Sequence, residues 1–508
     1  MSETWIQREI LAPRRLIFNL IWYGAHLGTF GYGWYSQASN TRLAALNALT
    51  FSVWTLSWLM PADENIWFHR QVAYSMAFWA MVHTTAHYVN FINVERSQVR
   101  PQSALQIHYT QPGGFTGHVM LFIMVLMYST AHHKVRKQCF EAFWYTHHLA
   151  FFFMLGLFTH ATGCFVRDSA DPDYIATFPF YSTEHCLGYL SWRFIIWPAI
   201  IYFGERVYRE VRARRPTTLQ KVLVHPSGAM ELRLNKPSFK YTAGQWLFIQ
   251  VPEISKFQWH PFTITSAPED PYVSIHIRQV GDFTYALGER LGAGPNVVAS
   301  LTTSAMNALE KRASDAKGQG LDALPSDGRG EFIEVDSSNM TLPIVRIDGP
   351  YGAPAEDVFE SEVAVLIGAG IGVTPFASIL KHIWYRQRRG NLGALKRVEF
   401  FWICRDAPSF GWFQHVVEHC CQRRGASYDP LTLLRTRTIF GRPDWRSVYG
   451  RLRMAIETGQ YLPGREAALR TKVGTFFCGP AGLAKTIKQE CLAVNTESIN
   501  FTFAKEHF

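Results

Sequence analysis

Eight cysteines in 508 residues, with no CxxC pair among them, leave the chain without a disulfide scaffold or a thiolate zinc site. Only Cys164 and Cys186 share a loop on the non-cytosolic side of the topology below, so only they are expected to pair under oxidising conditions. No DxDxDG loop is there to bind calcium. There is no internal repeat and no basic patch interleaved with aromatics, which sets nucleic acid aside although the formal net charge is +10. Charged residues make up only 18% of the chain, and residues 1–215 contain long runs with almost none. About 20 apolar residues span the hydrocarbon of a bilayer as a helix, so these runs predict a membrane for the front of the chain.

Six spans are expected there, at 14–36, 43–60, 67–90, 114–132, 143–160 and 190–207. Arg14 and Arg15 precede an apolar run too long for a cleavable signal, so the first span reads as a signal anchor. With the N-terminus inside, twelve Lys and Arg lie near the inner ends, among them Arg206, Arg209, Arg212, Arg214 and Arg215. Five lie near the outer ends, namely Arg42, Arg96, Arg100, Arg167 and Arg193. That bias predicts a multi-pass protein with both termini in the cytosol, its basic run facing anionic lipid.

From about residue 217 the pattern changes to short β-rich runs, Leu219–Val224, Met230–Leu234, Trp246–Val251 and Val273–Arg278, which read as barrel strands. Residues 301–340 are polar with little periodicity and read as a surface insertion. From residue 361 strands alternate with helices: 362–368, 375–389, 398–404, 473–478, 483–492 and 499–504. That is the pattern of a doubly wound α/β domain. The expected domains are therefore 1–215, 216–357 and 358–508.

Histidines carry the sharpest signal. The third span holds His69, His83 and His87, and the fifth holds His147, His148 and His160. An ionisable group at bilayer depth is costly. A single one reads as a helix–helix hydrogen bond, whereas several on two spans point to axial ligands of b-type haem. His69 and His83 are separated by roughly 21 Å of helical rise with an offset of roughly 40°. His147 and His160 match that rise at roughly 20 Å, but a continuous helix would set them roughly 140° apart. A helix irregularity or a different haem orientation has to absorb the difference, and periodicity alone does not choose among these histidines.

Two further motifs concern nucleotides. His260-Pro261-Phe262-Thr263-Ile264-Thr265-Ser266 follows a strand, and Arg278 ends another. Arg278, Thr263 and Ser266 are suited to a flavin diphosphate, and a polar barrel edge is the bland alternative. Gly368-Ala369-Gly370-Ile371-Gly372-Val373-Thr374-Pro375 turns from a strand into a helix, where backbone N–H groups can approach a phosphate. Arg405, after the next strand, suits a 2′-phosphate and hence NADPH over NADH.

These motifs, with Phe143–His148, Ser274–Thr284, Asp348–Gly352, Phe401–Asp406, Gly441–Trp445, Cys478–Pro480 and Glu506–Phe508, resemble those of the catalytic chains of NADPH oxidases in the ferric reductase-like superfamily, the fungal branch most of all. The resemblance runs from about residue 14 to residue 508. It implies a six-helix transmembrane bundle binding two haems, then an FAD-binding antiparallel β-barrel and an α/β NADPH-binding domain of the ferredoxin-NADP reductase-like kind. By resemblance His69 and His147 ligate the inner haem, and His83 and His160 the outer one. His260, Thr263, Arg278 and Thr284 contact FAD, with Pro261 and Phe262 between them. Gly368, Gly370, Gly372, Thr374, Pro375, Arg405, Arg442 and Cys478 line the NADPH site. Phe508 and Cys478 meet the reacting atoms, Phe508 by stacking on the isoalloxazine. The implied reaction carries electrons from cytosolic NADPH through FAD and the haems to dioxygen, giving superoxide. The implied partners are a cytosolic activator with a Rac-type GTPase and, in the membrane, a small subunit.

Two other readings share this plan. A ferric-chelate reductase differs in its acceptor. A non-catalytic regulator or proton channel would not need the ligand histidines or the Gly368–Pro375 turn, both of which are intact. In one place the chain departs from the family. Only the nine residues Gln422–Pro430 separate the helix near 409–421 from Leu431–Trp445, so one edge strand of the nucleotide domain is expected to be missing. Such a loss would expose the 398–404 strand and unseat Arg405.

Overall fold

The computed structural model describes residues 20–21, 24, 65–98, 101–110, 112–160, 192–225, 227–315, 332–336, 340–404, 439, 441–462 and 471–506. The chain divides into two compact units, 1–206 and 207–508.

In the first unit α1 runs Asn65–Ser97, α2 Ala104–Thr110, α3 Pro112–Ala131, α4 His133–Gln138, α5 Phe140–His147 and α6 Ala150–His160. The helix α7, Trp192–Ala213, begins here and ends in the second unit. Large apolar side chains stand outward on these helices, for example Met81, Phe122, Val125, Trp197 and Ile201. That is an arrangement for lipid rather than water, since soluble monomers rarely carry such continuous apolar faces. Among the described residues one helix, over Gly113–Ala131, is long and apolar enough to cross a membrane by length and composition.

The expected spans fare unequally. The first two lie almost wholly outside the described residues. The third sits within α1, which continues past it to Ser97, and the fourth is α3. The sixth extends as α7 through Arg206, Arg209 and Arg212, with Pro198 inside the helix. The fifth is corrected: 143–160 is not one helix but two, α5 and α6, parted by a turn at His148–Leu149.

The second unit opens with an antiparallel barrel. Its strands are β1 Thr218–Val224, β2 Ala229–Asn235, β3 Trp246–Gln250, β4 His260–Thr263, β5 Val273–Arg278, β6 Ile333–Glu334 and β7 Arg346–Tyr351. They form two sheets, β5-β2-β1-β6 and β4-β3-β7, around a core that includes Leu232, Leu247, Ile264, Ile275 and Ile347. The last turns of α7 are tied to β7. Arg209 and Arg212 pair with the buried Asp348 at 3.0 and 2.6 Å, and Tyr351 bonds the same carboxylate. The helices α8, Asp282–Arg290, and α9, Pro295–Asp315, follow β5. Helix α9 corrects the expectation of an irregular insertion from 301. Pro295 starts a helix whose Val297, Val298 and Leu301 pack on the barrel core, and the polar residues beyond hide that short apolar stripe.

The rest is the doubly wound domain. Strands β8 Val363–Ala369, β9 Arg397–Ile403, β10 Thr471–Cys478 and β11 Ile499–Lys505 form a parallel sheet ordered β11-β10-β8-β9. Helix α10, Thr374–Arg388, shares one core with that sheet. Helices α11, Trp445–Glu457, and α12, Ala481–Ala493, share the core on the other face. Strand β8 is buried on both faces, which explains its unbroken Val-Ala-Val-Leu-Ile run. Among the described residues β9 forms the sheet edge and is half-exposed, and residues 405–438 that follow lie outside the described set.

Candidate functional site

The break between α5 and α6 decides the geometry of the histidines. It makes His147 the last residue of one helix and His160 the last residue of the next, so the offset of a continuous helix no longer applies. Each then meets a partner on α1. His69 and His147 have ring centres 6.0 Å apart, and so do His83 and His160. Two imidazoles at that separation leave room for one metal ion between them, with each nitrogen about 2 Å from it. His148 bonds back to the Trp144 carbonyl at 2.7 Å and is no member of either pair. His87 stands beside His83, ring centres 4.4 Å apart, and is likewise outside the pairs.

Around His83 and His160 the helices enclose about 850 Å³ of empty space, the open mouth included. Gly113, Gly114 and Gly117 on α3 line it. A Cβ on Gly117 would stand 3.1 Å from His160 Cε1. Two lining histidines escaped the sequence reading. His108, on α2, is buried against Tyr88 and Phe91. His118, on α3, donates from Nδ1 to the Gly114 carbonyl and accepts from Tyr88 Oη at 2.7 Å. The argument that singles out the other histidines applies to His118 too, since it interrupts an apolar span.

In the second unit the flavin motif follows β3 as expected, and its first four residues, His260–Thr263, form the strand β4 paired with it. His260 stacks on Phe283 at 3.7 Å and 17°, and burial pushes its imidazole down to about 4, so the ring is neutral at pH 7. Its Nε2 is buried with no hydrogen-bond partner among the described residues, which leaves a polar atom for a ligand. Pro261 is exposed, Phe262 and Thr263 line the strand, and Arg278 is exposed at the end of β5. Two expected contacts have other duties. Ser266 is fully buried, with its hydroxyl taken by Tyr241 and the Ser274 N–H, so it ties the barrel together. Thr284 accepts from the Val280 and Gly281 N–H groups at 3.0 Å and caps α8.

The glycine turn packs closely against the end of β10. Gly370 is left-handed at φ +58, which only glycine adopts without strain. A Cβ on Gly372 would lie 2.5 Å from the Cys478 carbonyl oxygen, and one on Gly368 would lie 2.9 Å from Val373 Cα. Thr374 is buried and begins α10, with Pro375 in its first turn. Cys478 is buried beside this turn, and burial first, then Glu506, push its thiol up to about 12. Arg442 is exposed after Gly441, while Arg405 and Phe508 lie outside the described residues, as do Cys164 and Cys186.

Glu506 is another residue that sequence reasoning passed over as a site. It is buried, accepts from the Ala355 N–H at 2.7 Å, and is pushed up to about 7 by burial and then by Glu356. The folded chain therefore holds this proton more tightly than the unfolded chain. Its contribution is present below the ordinary carboxyl range and lost as pH rises through about 7. Glu506→Gln cannot titrate, so its stability relative to the parent should rise by about 2–3 kcal/mol between pH 5 and pH 8. Paired thermal-unfolding curves at the two pH values test this, and a constant difference contradicts the buried-acid assignment.

Known proteins bear out the order of parts. Residues 36–158 match the ferric reductase like transmembrane component, 215–355 the FAD-binding domain, and 361–426 with 419–492 the ferric reductase NAD binding domain. NADPH oxidase 1 of Mus musculus is 30% identical to this chain, covering 88% of it and 80% of its own length. A superoxide-generating NADPH oxidase heavy chain of Dictyostelium discoideum is 32% identical over 88% of this chain and 82% of its own. NADPH oxidase 3 of Homo sapiens is 29% identical, with coverage of 89% and 84%.

Proposed function

We propose, from the premise that this chain belongs to the NADPH oxidase family, that it takes electrons from NADPH in the cytosol and delivers them across the membrane to dioxygen as superoxide. It is a membrane oxidoreductase with FAD- and NADPH-binding domains. The observation that carries the transmembrane route is the double pairing of histidines between α1 and the α5–α6 segment. His69 with His147 would hold the inner b-type haem, and His83 with His160 the outer one. When bound, FAD divides a hydride's electron pair and the haems carry single electrons, so the chain needs no acid–base group along the route.

The residues supply orientation and insulation. His260 and Phe283 form a neutral, stacked wall for the flavin, and Arg278 offers a cation to its diphosphate. Gly368, Gly370 and Gly372 admit the nucleotide phosphates to the start of α10. The protonated thiol of Cys478 puts no charge beside the nicotinamide. Phe508 would cover the isoalloxazine and move aside for hydride transfer. The Lys and Arg bias supports a cytosolic location for both termini.

Purified chain in nanodiscs, with its activators, should consume oxygen on addition of NADPH and reduce cytochrome c in a way that superoxide dismutase suppresses. Metal-chelate reduction without oxygen uptake would favour the reductase reading instead. The activators proposed are a cytosolic factor with a Rac-type GTPase and, in the membrane, a small subunit, since no calcium loop is present. Full activity of the isolated chain, or activation by calcium alone, would count against them. Preference for NADPH is assigned to Arg405 with Arg442. Arg405→Ala should weaken NADPH binding by about 1–3 kcal/mol, as for a lost charged hydrogen bond, with little effect on NADH. Equal rises in KM for both nucleotides would remove Arg405 from the 2′-phosphate.

A further inference from the structure

We infer that Thr116 is a positioning residue that sets the reduction potential of the haem between His83 and His160, an inference resting on the ligand reading above. Thr116 lies on α3, and its Oγ1 is 2.9 Å from His160 Nδ1. Gly117 lies close to the same edge of the ring, where a Cβ would stand 3.1 Å from Cε1 and 3.7 Å from Nδ1. One turn of α3 therefore bears on the Nδ1–Cε1 edge of the imidazole.

The chemistry follows from which nitrogen is occupied. An imidazole that gives a lone pair to iron keeps its proton on the other nitrogen. With Nδ1 engaged by Thr116, Nε2 is the nitrogen left for iron, and Nδ1–H donates to the threonine oxygen. Donation of that proton makes the ligand more basic and favours ferric over ferrous iron. The other pair differs. His147 Nδ1 is buried with no hydrogen-bond partner among the described residues, so its ring lacks that support. The two haems are therefore inequivalent, with the lower potential at His160.

Thr116→Val keeps the shape and removes the hydroxyl, and Thr116→Ser keeps the hydroxyl. Anaerobic spectroelectrochemical titration of the full chain in nanodiscs reads both haems. Thr116→Val should retain two haems, with one midpoint raised by about a tenfold change in the ferric-to-ferrous ratio, about 59 mV for one electron. The other midpoint should not move, and Thr116→Ser should match the parent. Thr116→Ala, which adds no methyl group, is titrated alongside in case valine crowds the ring. Two haems with parental midpoints in both hydroxyl-free variants would overturn the inference. So would a shift in Thr116→Ser as large as in Thr116→Val. His160→Ala tests the premise separately: if it keeps both haems, His160 is not a ligand, whatever Thr116 does.

Discussion

Replacing His69 or His147 by alanine should remove one haem per chain, leave the flavin content unchanged and abolish NADPH-driven oxygen reduction. The two rings stand 6.0 Å apart on separate helices, α1 and α5, with no covalent tie between those helices. Without one ring a haem held there would lose one of its two protein ligands. The barrel and the sheet are built from residues 207–508, so the flavin site does not depend on that pair. Haem-to-flavin ratio by absorbance is the measurement. Retention of both haems in His69→Ala contradicts the ligand assignment, and parallel loss of flavin would mean a folding defect instead.

Gly372→Ala should reduce kcat/KM for NADPH by about a hundredfold, a size known for misplacements of about 1 Å at a reacting centre. The added Cβ would lie 2.5 Å from the Cys478 carbonyl oxygen and 3.2 Å from its sulfur. Backbone cannot rotate away as a side chain can. Either the turn lifts from β10 or Cys478 shifts from the proposed nicotinamide path, and both would spoil the alignment of hydride donor and acceptor. Gly370→Ala meets no atom within 4 Å but must adopt φ +58, so its defect should be the smaller and show mainly in stability. Stopped-flow flavin reduction under anaerobic conditions separates the two. Equal rates for Gly372→Ala and the parent would show that this approach is not limiting.

Periodicity carries the reading of the parallel sheet and of the long helices, because β8 and α3 are buried or apolar along their whole length. It falters where the chain must be known in three dimensions. The misfit of His147 and His160, roughly 140° on a continuous helix, calls for an irregularity, and the break at His148–Leu149 supplies one. Its place is not written in any helix breaker, since neither residue is Gly or Pro. Helix α9 is hidden because its described contacts with the barrel core, Val297, Val298 and Leu301, form a short stripe ahead of a polar run. Thr116 and Glu506 acquire meaning only through partners 44 and 151 residues away. Ser266 and Thr284 are the converse, hydroxyls that suit a phosphate by type but are engaged by their own neighbours.

The most direct test of the central claim is vectorial. The chain, with its activators, is reconstituted into sealed vesicles with FAD and haem, NADPH is added to the face that exposes residues 207–508, and a membrane-impermeant superoxide probe is placed on each side in turn. Superoxide on the face opposite NADPH, abolished in His83→Ala and His160→Ala, is the predicted result. Superoxide on the NADPH face alone, or equal yields in the parent and the histidine variants, would contradict electron passage through the paired histidines.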